Sequence, residues 1–117
     1  MKVAFIGLGV MGYPMAGHVA KAGFDVCVYN RTQSKAQTWV QEFGGSFKVT
    51  PAQAASGCDV ALSCVGNDED VKQVIYGDDG ALSGMAAGSV LLDHTTASAS
   101  LARELDSALA AKKIGFL

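Results

Sequence analysis

Residues 2–12 read Lys-Val-Ala-Phe-Ile-Gly-Leu-Gly-Val-Met-Gly, an apolar stretch that passes without a break into glycines at positions 7, 9 and 12. In a G-x-G-x-x-G turn the first glycine swings the chain out of a strand and the second lets backbone approach a pyrophosphate. The third lets helix and strand pack closely, and the pyrophosphate rests on the free amides of the helix start. Glycine supplies 14 of the 117 residues, so the spacing alone decides little and the flanks decide more. Val3, Phe5 and Ile6 precede the turn as strand formers, and a helical stretch from about residue 11 to 22 follows, closing at Gly23. Pro14 falls in the first helical turn, where a missing N–H has no intrahelical partner to lose. The segment therefore reads as a dinucleotide-binding turn in which Gly7, Leu8, Gly9, Val10, Met11 and Gly12 face the ligand. A secretory leader ending at Ala20-Lys21-Ala22 is the competing reading; the three glycines and Pro14 break the apolar core it needs.

Strand and helix alternate along the rest of the chain. Residues 25–30 read as a strand, and residues 34–43 as a helix whose Ala36, Trp39, Val40 and Phe43 form one apolar stripe before Gly44-Gly45. Trp39 is thereby placed in the core. A short strand at 46–49 leads to a small helix capped by Thr50, with Pro51 at its first position and Gly57 after it. Residues 59–65 form an apolar strand, after which Asn67 caps a helix opening with Asp68-Glu69-Asp70. Carboxylates in a first turn are what the helix dipole favours, which explains the trio without a metal. A strand at 90–93 and a helix at 98–112 follow, the helix burying Leu101, Leu105, Ala108 and Leu109 and ending near Lys112-Lys113. Residues 114–117 begin a sixth strand, the pattern expected of a chain truncated in or just after it. The alternation predicts an α/β fold: a Rossmann-type doubly wound, mainly parallel sheet with helices on both faces, formed as one domain by residues 1–117.

Charge and cysteine usage narrow the function classes. The formal net charge is −2 and the nine Lys and Arg are scattered, so no basic face for nucleic acid is expected. No run of 18 apolar residues marks a membrane span. Cys27, Cys58 and Cys64 have neither C-x-x-C nor zinc spacing, which suggests reduced thiols in a cytoplasmic protein.

Which dinucleotide is bound depends on the end of the second strand. An Asp or Glu there accepts hydrogen bonds from the adenosine ribose of NAD, whereas NADP carries a phosphate at that place. This chain has Asn30-Arg31-Thr32, with Asn30 falling 18 residues after Gly12. A carboxylate about 4 Å from the phosphate would repel it by a few kcal/mol at an effective dielectric near 20, and neutral Asn30 removes that repulsion. Arg31 can offer a guanidinium, Thr32 a hydroxyl and Lys35 an ammonium from the next helix. NADP is therefore expected over NAD. Two other strand ends face the same crevice: Cys64, Val65, Gly66 and Asn67 after the fourth strand, and Asp93-His94-Thr95-Thr96 after the fifth. Val65 and Gly66 can press backbone against ribose and nicotinamide, Asn67 doubles as a cap, and Thr96 can bond the nicotinamide end. His94 reads as a surface or packing residue and His18 as packing.

Taken together these motifs resemble the N-terminal domain of the β-hydroxyacid dehydrogenases, the family of 3-hydroxyisobutyrate dehydrogenase and tartronate semialdehyde reductase, related to 6-phosphogluconate dehydrogenase. The resembling segments are Phe5 to Ala16 with Met11, Pro14 and Met15, then Asn30-Arg31-Thr32, Val65-Gly66-Asn67-Asp68 and Asp93-His94-Thr95-Thr96. Ala99 stands where the family often has a proline. The resemblance implies hydride transfer between NADP and a small 3-hydroxy acid or its semialdehyde. It also implies a helical C-terminal domain that mediates homo-oligomers, with a substrate loop and a catalytic lysine that lie beyond residue 117. No catalytic residue is expected within the chain, which should bind cofactor without turnover. A stand-alone dinucleotide-sensing module and the N-terminal half of an imine-reductase-like enzyme are the alternative readings.

Overall fold

The computed structural model describes residues 1–94 and 98–116. Its strands are β1 (Lys2–Ile6), β2 (Asp25–Tyr29), β3 (Ser46–Phe47), β4 (Val60–Ser63), β5 (Val90–Asp93) and β6 (Gly115–Phe116). The helices are α1 (Gly12–Lys21), α2 (Gln33–Phe43), α3 (Pro51–Ala55), α4 (Asp68–Ile75), α5 (Ala81–Gly84) and α6 (Ala99–Ala111). The strands lie in one sheet ordered β3-β2-β1-β4-β5-β6, and each neighbouring pair runs parallel. Parallel neighbours need crossover connections, which the intervening helices provide. The expected Rossmann-type architecture is what forms, with a sheet that is wholly parallel.

Alternation along the central strand divides the core in two. Val3 and Phe5 of β1 enter a cluster with Leu8, Ala16, Val26, Val28, Ala36 and Trp39, beneath α1 and α2. Ala4 and Ile6 point the other way, into a cluster that includes Val71, Ile75, Leu91, Leu105 and Leu109 beneath α4 and α6. The two-residue period thus makes both faces apolar, and a strand covered on both faces reads as a continuous hydrophobic run. Trp39 is fully buried against Phe43, with ring centroids 5.5 Å apart.

Boundaries shift from the sequence expectation where the backbone finds a different partner. β4 ends at Ser63 rather than 65: the Cys64 amide makes one last ladder bond to the Ile6 carbonyl at 2.9 Å, and the chain then turns toward the Asn67 cap of α4. β3 pairs with β2 over two residues only and stops before Lys48. Helix α5 has no counterpart in the sequence reading, since four residues are too few to display a 3.6-residue period. It is held by packing on α3, where the Ala52 amide donates to the Asp79 carbonyl at 2.9 Å. His18 is exposed in the last turn of α1 rather than packed, and His94 is also exposed. The cysteines are free; burial raises the pKa of Cys58 and of Cys64. Among the described residues no helix is long and apolar enough to cross a membrane.

Candidate functional site

In a doubly wound sheet the ligand crevice opens beyond the carboxyl ends of the strands where the strand order reverses, here between β1 and β4. The backbone at that point continues the sheet ladder into the glycine turn. The Gly7 amide donates to the Tyr29 carbonyl, and the Leu8 amide donates to the Asn30 side-chain oxygen, each at 2.9 Å. The Asn30 side-chain amide donates in turn to the Thr32 carbonyl at 3.2 Å. Asn30 is therefore a pin for two turns at once, accepting on one and donating on the other.

The three glycines do different work. Gly7 sits at φ +101° and a Cβ there would collide with the Cys64 carbonyl, so the sharp exit from β1 requires glycine. A Cβ on Gly12 would collide with the Gly7 carbonyl and lie 3.3 Å from the Phe5 ring. Gly9 is the contrast: a Cβ there would meet nothing within 4 Å. The protein's own packing gives no reason for glycine at position 9, while close approach of a ligand does. Immediately after it, Val10 and Met11 are 93% and 69% exposed. Helix α1 begins with no side-chain cap and no acidic residue in its first turn, leaving its amides and dipole to an outside anion. These features fit the pyrophosphate of a dinucleotide.

A cleft of about 970 Å³ opens over this turn. Its walls include Gly7, Leu8, Gly9, Val10, Met11 and Gly12 from the turn, Asn30, Arg31 and Thr32 after β2, and Cys64, Val65 and Gly66 after β4. Twelve of the residues expected from sequence thus come together around one space. Lys35 does not line it; it is exposed on α2. Asn67 does not line it either, its side chain capping α4 by accepting from the Asp70 amide at 3.0 Å. Thr96 lies outside the described residues.

Sequence reasoning missed part of the wall. Residues 49–51, Gln73, Val74 and the loop of residues 76–80 also line the cleft. The run Gly77-Asp78-Asp79-Gly80 is a turn signature that marks a loop, but nothing local shows that it folds over the strand ends. Asp70 also lines the cleft, and its carboxylate pairs with Arg31 at 2.9 Å. The first-turn carboxylates of α4 therefore have tertiary partners that a helix-dipole account alone does not supply. Asp68 accepts from the Ser98 amide at 2.9 Å, and hydrogen bonding from the Ser98 side chain, then from its amide, lowers the Asp68 pKa from the ordinary carboxylate value.

At the ends of β4 and β5 the buried Ser63 hydroxyl donates to Asp93 at 2.8 Å, tying the two strands together. Desolvation, and then the charge of Asp93, push the Cys64 thiol pKa upward, which keeps the thiol protonated beside the cleft.

Comparison with known proteins agrees with this geometry. Residues 2–117 match the family described as the NAD binding domain of 6-phosphogluconate dehydrogenase. An uncharacterised oxidoreductase of Shewanella frigidimarina is 56% identical over 99% of this chain and 40% of its own length. A protein of Arabidopsis thaliana named 3-hydroxyisobutyrate dehydrogenase-like 1 is 45% identical over 95% of this chain and 33% of its own. A crystal structure of 3-hydroxyisobutyrate dehydrogenase from Salmonella typhimurium superposes with a TM-score of 0.89 at 25% identity, covering 99% of this chain and 40% of that one. The chain thus spans about two fifths or less of the length of these relatives. Matched almost from end to end, the chain belongs to the family of the NAD-binding domain of 6-phosphogluconate dehydrogenase.

Proposed function

We propose that residues 1–117 form the NADP-binding domain of an oxidoreductase that moves a hydride between the nicotinamide and a small 3-hydroxy acid or its semialdehyde. The observation that carries this reading is the convergence of an uncapped α1 start, an unfilled Gly9 and the Asn30-Arg31-Thr32 corner on one cleft. The amides after Gly9 hold the pyrophosphate, favoured by the α1 dipole. Arg31 and Thr32 take the 2′-phosphate, Arg31 by charge-assisted bonds and Thr32 by its hydroxyl. No carboxylate stands at position 30 to repel that phosphate, and Asn30 holds the turn that presents it. Cys64, Val65 and Gly66 shape the ribose and nicotinamide side, with Thr96 at the nicotinamide end. When bound, the nicotinamide supplies or accepts the hydride; the residues of this chain bind and orient it.

Proton transfer to or from the substrate is assigned to the lysine that the family resemblance places beyond residue 117. Binding without turnover is the behaviour expected of this chain. Substrate class and homo-oligomer formation follow the same resemblance, and a cytoplasmic location follows from the spacing of the three cysteines.

The experiment is a calorimetric titration of the folded chain with NADPH and with NADH, paired with Arg31→Ala. The reading predicts one saturable site with NADPH the tighter ligand, and an NADPH preference that collapses in the variant. Equal affinities in the wild-type chain would remove the NADP assignment.

A further inference from the structure

The guanidinium of Arg31 does not stand free at the cleft edge. It reaches from the end of β2 to Asp70 in the first turn of α4, 39 residues away in sequence, with Nη2 and Oδ1 2.9 Å apart. Both residues line the cleft, so the pair joins two parts of its wall. A phosphate that claims the guanidinium has to part it, whereas a nucleotide without one leaves it intact.

The two partners are held very differently. The Arg31 side chain is 74% exposed and, among the described residues, is held by this ion pair, whereas the Asp70 side chain is 25% exposed. The Asp70 amide is bonded to Asn67 at 3.0 Å, its carboxylate lies where the helix dipole favours negative charge, and Oδ2 would be only 2.6 Å from a Cβ at Gly66. Asp70 therefore stays when Arg31 leaves. An exposed, single-contact ion pair contributes little and exchanges readily for a doubly charged phosphate.

From this geometry we infer that Asp70 is a specificity-determining residue: its carboxylate competes with the 2′-phosphate of the nucleotide for Arg31 and so limits the preference for NADP over NAD. The charge that discriminates against a 2′-phosphate, absent from the end of β2 where Asn30 stands, is supplied from α4. It acts more weakly there because Arg31, the mobile partner, can leave the carboxylate for the phosphate. NAD has no phosphate to claim Arg31, so its affinity is insensitive to Asp70. The inference rests on the reading of Arg31 as the 2′-phosphate ligand.

The test is titration of NADPH and NADH into the wild-type chain, Asp70→Asn and Arg31→Ala, with far-UV circular dichroism confirming that each is folded. Asp70→Asn should tighten NADPH roughly three- to tenfold, leave NADH within about twofold, and make NADPH binding more salt-dependent, since the freed guanidinium meets the phosphate unopposed. Weaker NADPH binding in Asp70→Asn would overturn the inference, as would an equal shift for both nucleotides. If Arg31→Ala leaves the NADPH to NADH ratio of the wild type unchanged, the 2′-phosphate reading fails and the inference with it. If Arg31→Ala collapses the ratio while Asp70→Asn does not raise it, the Asp70 inference alone fails. A folded wild-type chain that binds neither nucleotide would overturn both. Should Asp70→Asn prove unfolded, Asp70→Ser makes the same measurement, because the backbone bond to Asn67 does not need the carboxylate.

Discussion

At the scale of single residues, the glycine turn separates stability from binding. Gly12→Ala forces a Cβ into the Gly7 carbonyl, and overpacking of this kind costs about 1–3 kcal/mol, so the melting temperature should fall by several degrees. Gly9→Ala meets nothing within 4 Å and should melt like the wild type while weakening dinucleotide binding at least tenfold. A Gly9→Ala variant that binds normally would deny that the ligand comes close at position 9. Asn30→Asp acts twice. It places a carboxylate beside the proposed 2′-phosphate site, and it removes the donor that holds the Thr32 carbonyl. NADPH affinity should drop at least tenfold and NADH far less; an equal loss of both would point to the turn rather than to the charge. The neutral residue at position 30 was legible in the sequence. Its role as a pin for the Leu8 amide was not, because that contact joins residues 22 apart.

Elements show the same division. Helix α1 lacks an acidic residue in its first turn, which is poor design for a helix and good design for an anion site. Met11→Asp should stabilise the fold by about 0.3–1 kcal/mol through the dipole while abolishing nucleotide binding, read by thermal melting and by titration. A loss of stability with retained binding would contradict this. In α2, Trp39 is fully buried but its Nε1 has no hydrogen-bond partner among the described residues. Trp39→Phe therefore loses volume and no hydrogen bond, and should cost clearly less than the roughly 3–5 kcal/mol of Trp39→Ala in chemical denaturation. The α2 stripe and the caps at Thr50, Asn67 and Ser98 could be read locally because each signal lies within one turn of its helix. Helix α5 and the wall at residues 76–80 escaped, since a four-residue helix has no period and a docked loop looks like a free one.

For the whole molecule, strand alternation was enough to specify a parallel doubly wound sheet, and the crevice position follows from its order reversal. What the pattern could not give were the cross-links between elements: Arg31 to Asp70, Ser63 to Asp93 and Asp68 to Ser98. The last of these joins α4 to the start of α6 and makes stability depend on pH. Hydrogen bonds from Ser98 lower the folded-state pKa of Asp68, so its contribution is present above the ordinary carboxylate pKa and is lost as pH falls through the lowered value. As pH falls below the ordinary carboxylate pKa of about 4, Asp68→Asn should flatten the acid-side decline in melting temperature. A decline identical to that of the wild type would show that Asp68 is not one of the groups responsible. The proposed ligand of the cleft is a dinucleotide with a 2′-phosphate, and calorimetric titration of the folded chain with NADPH and NADH tests that proposal most directly. One site with NADPH bound more tightly than NADH is the predicted result; a folded chain that binds neither, or prefers NADH, would contradict it.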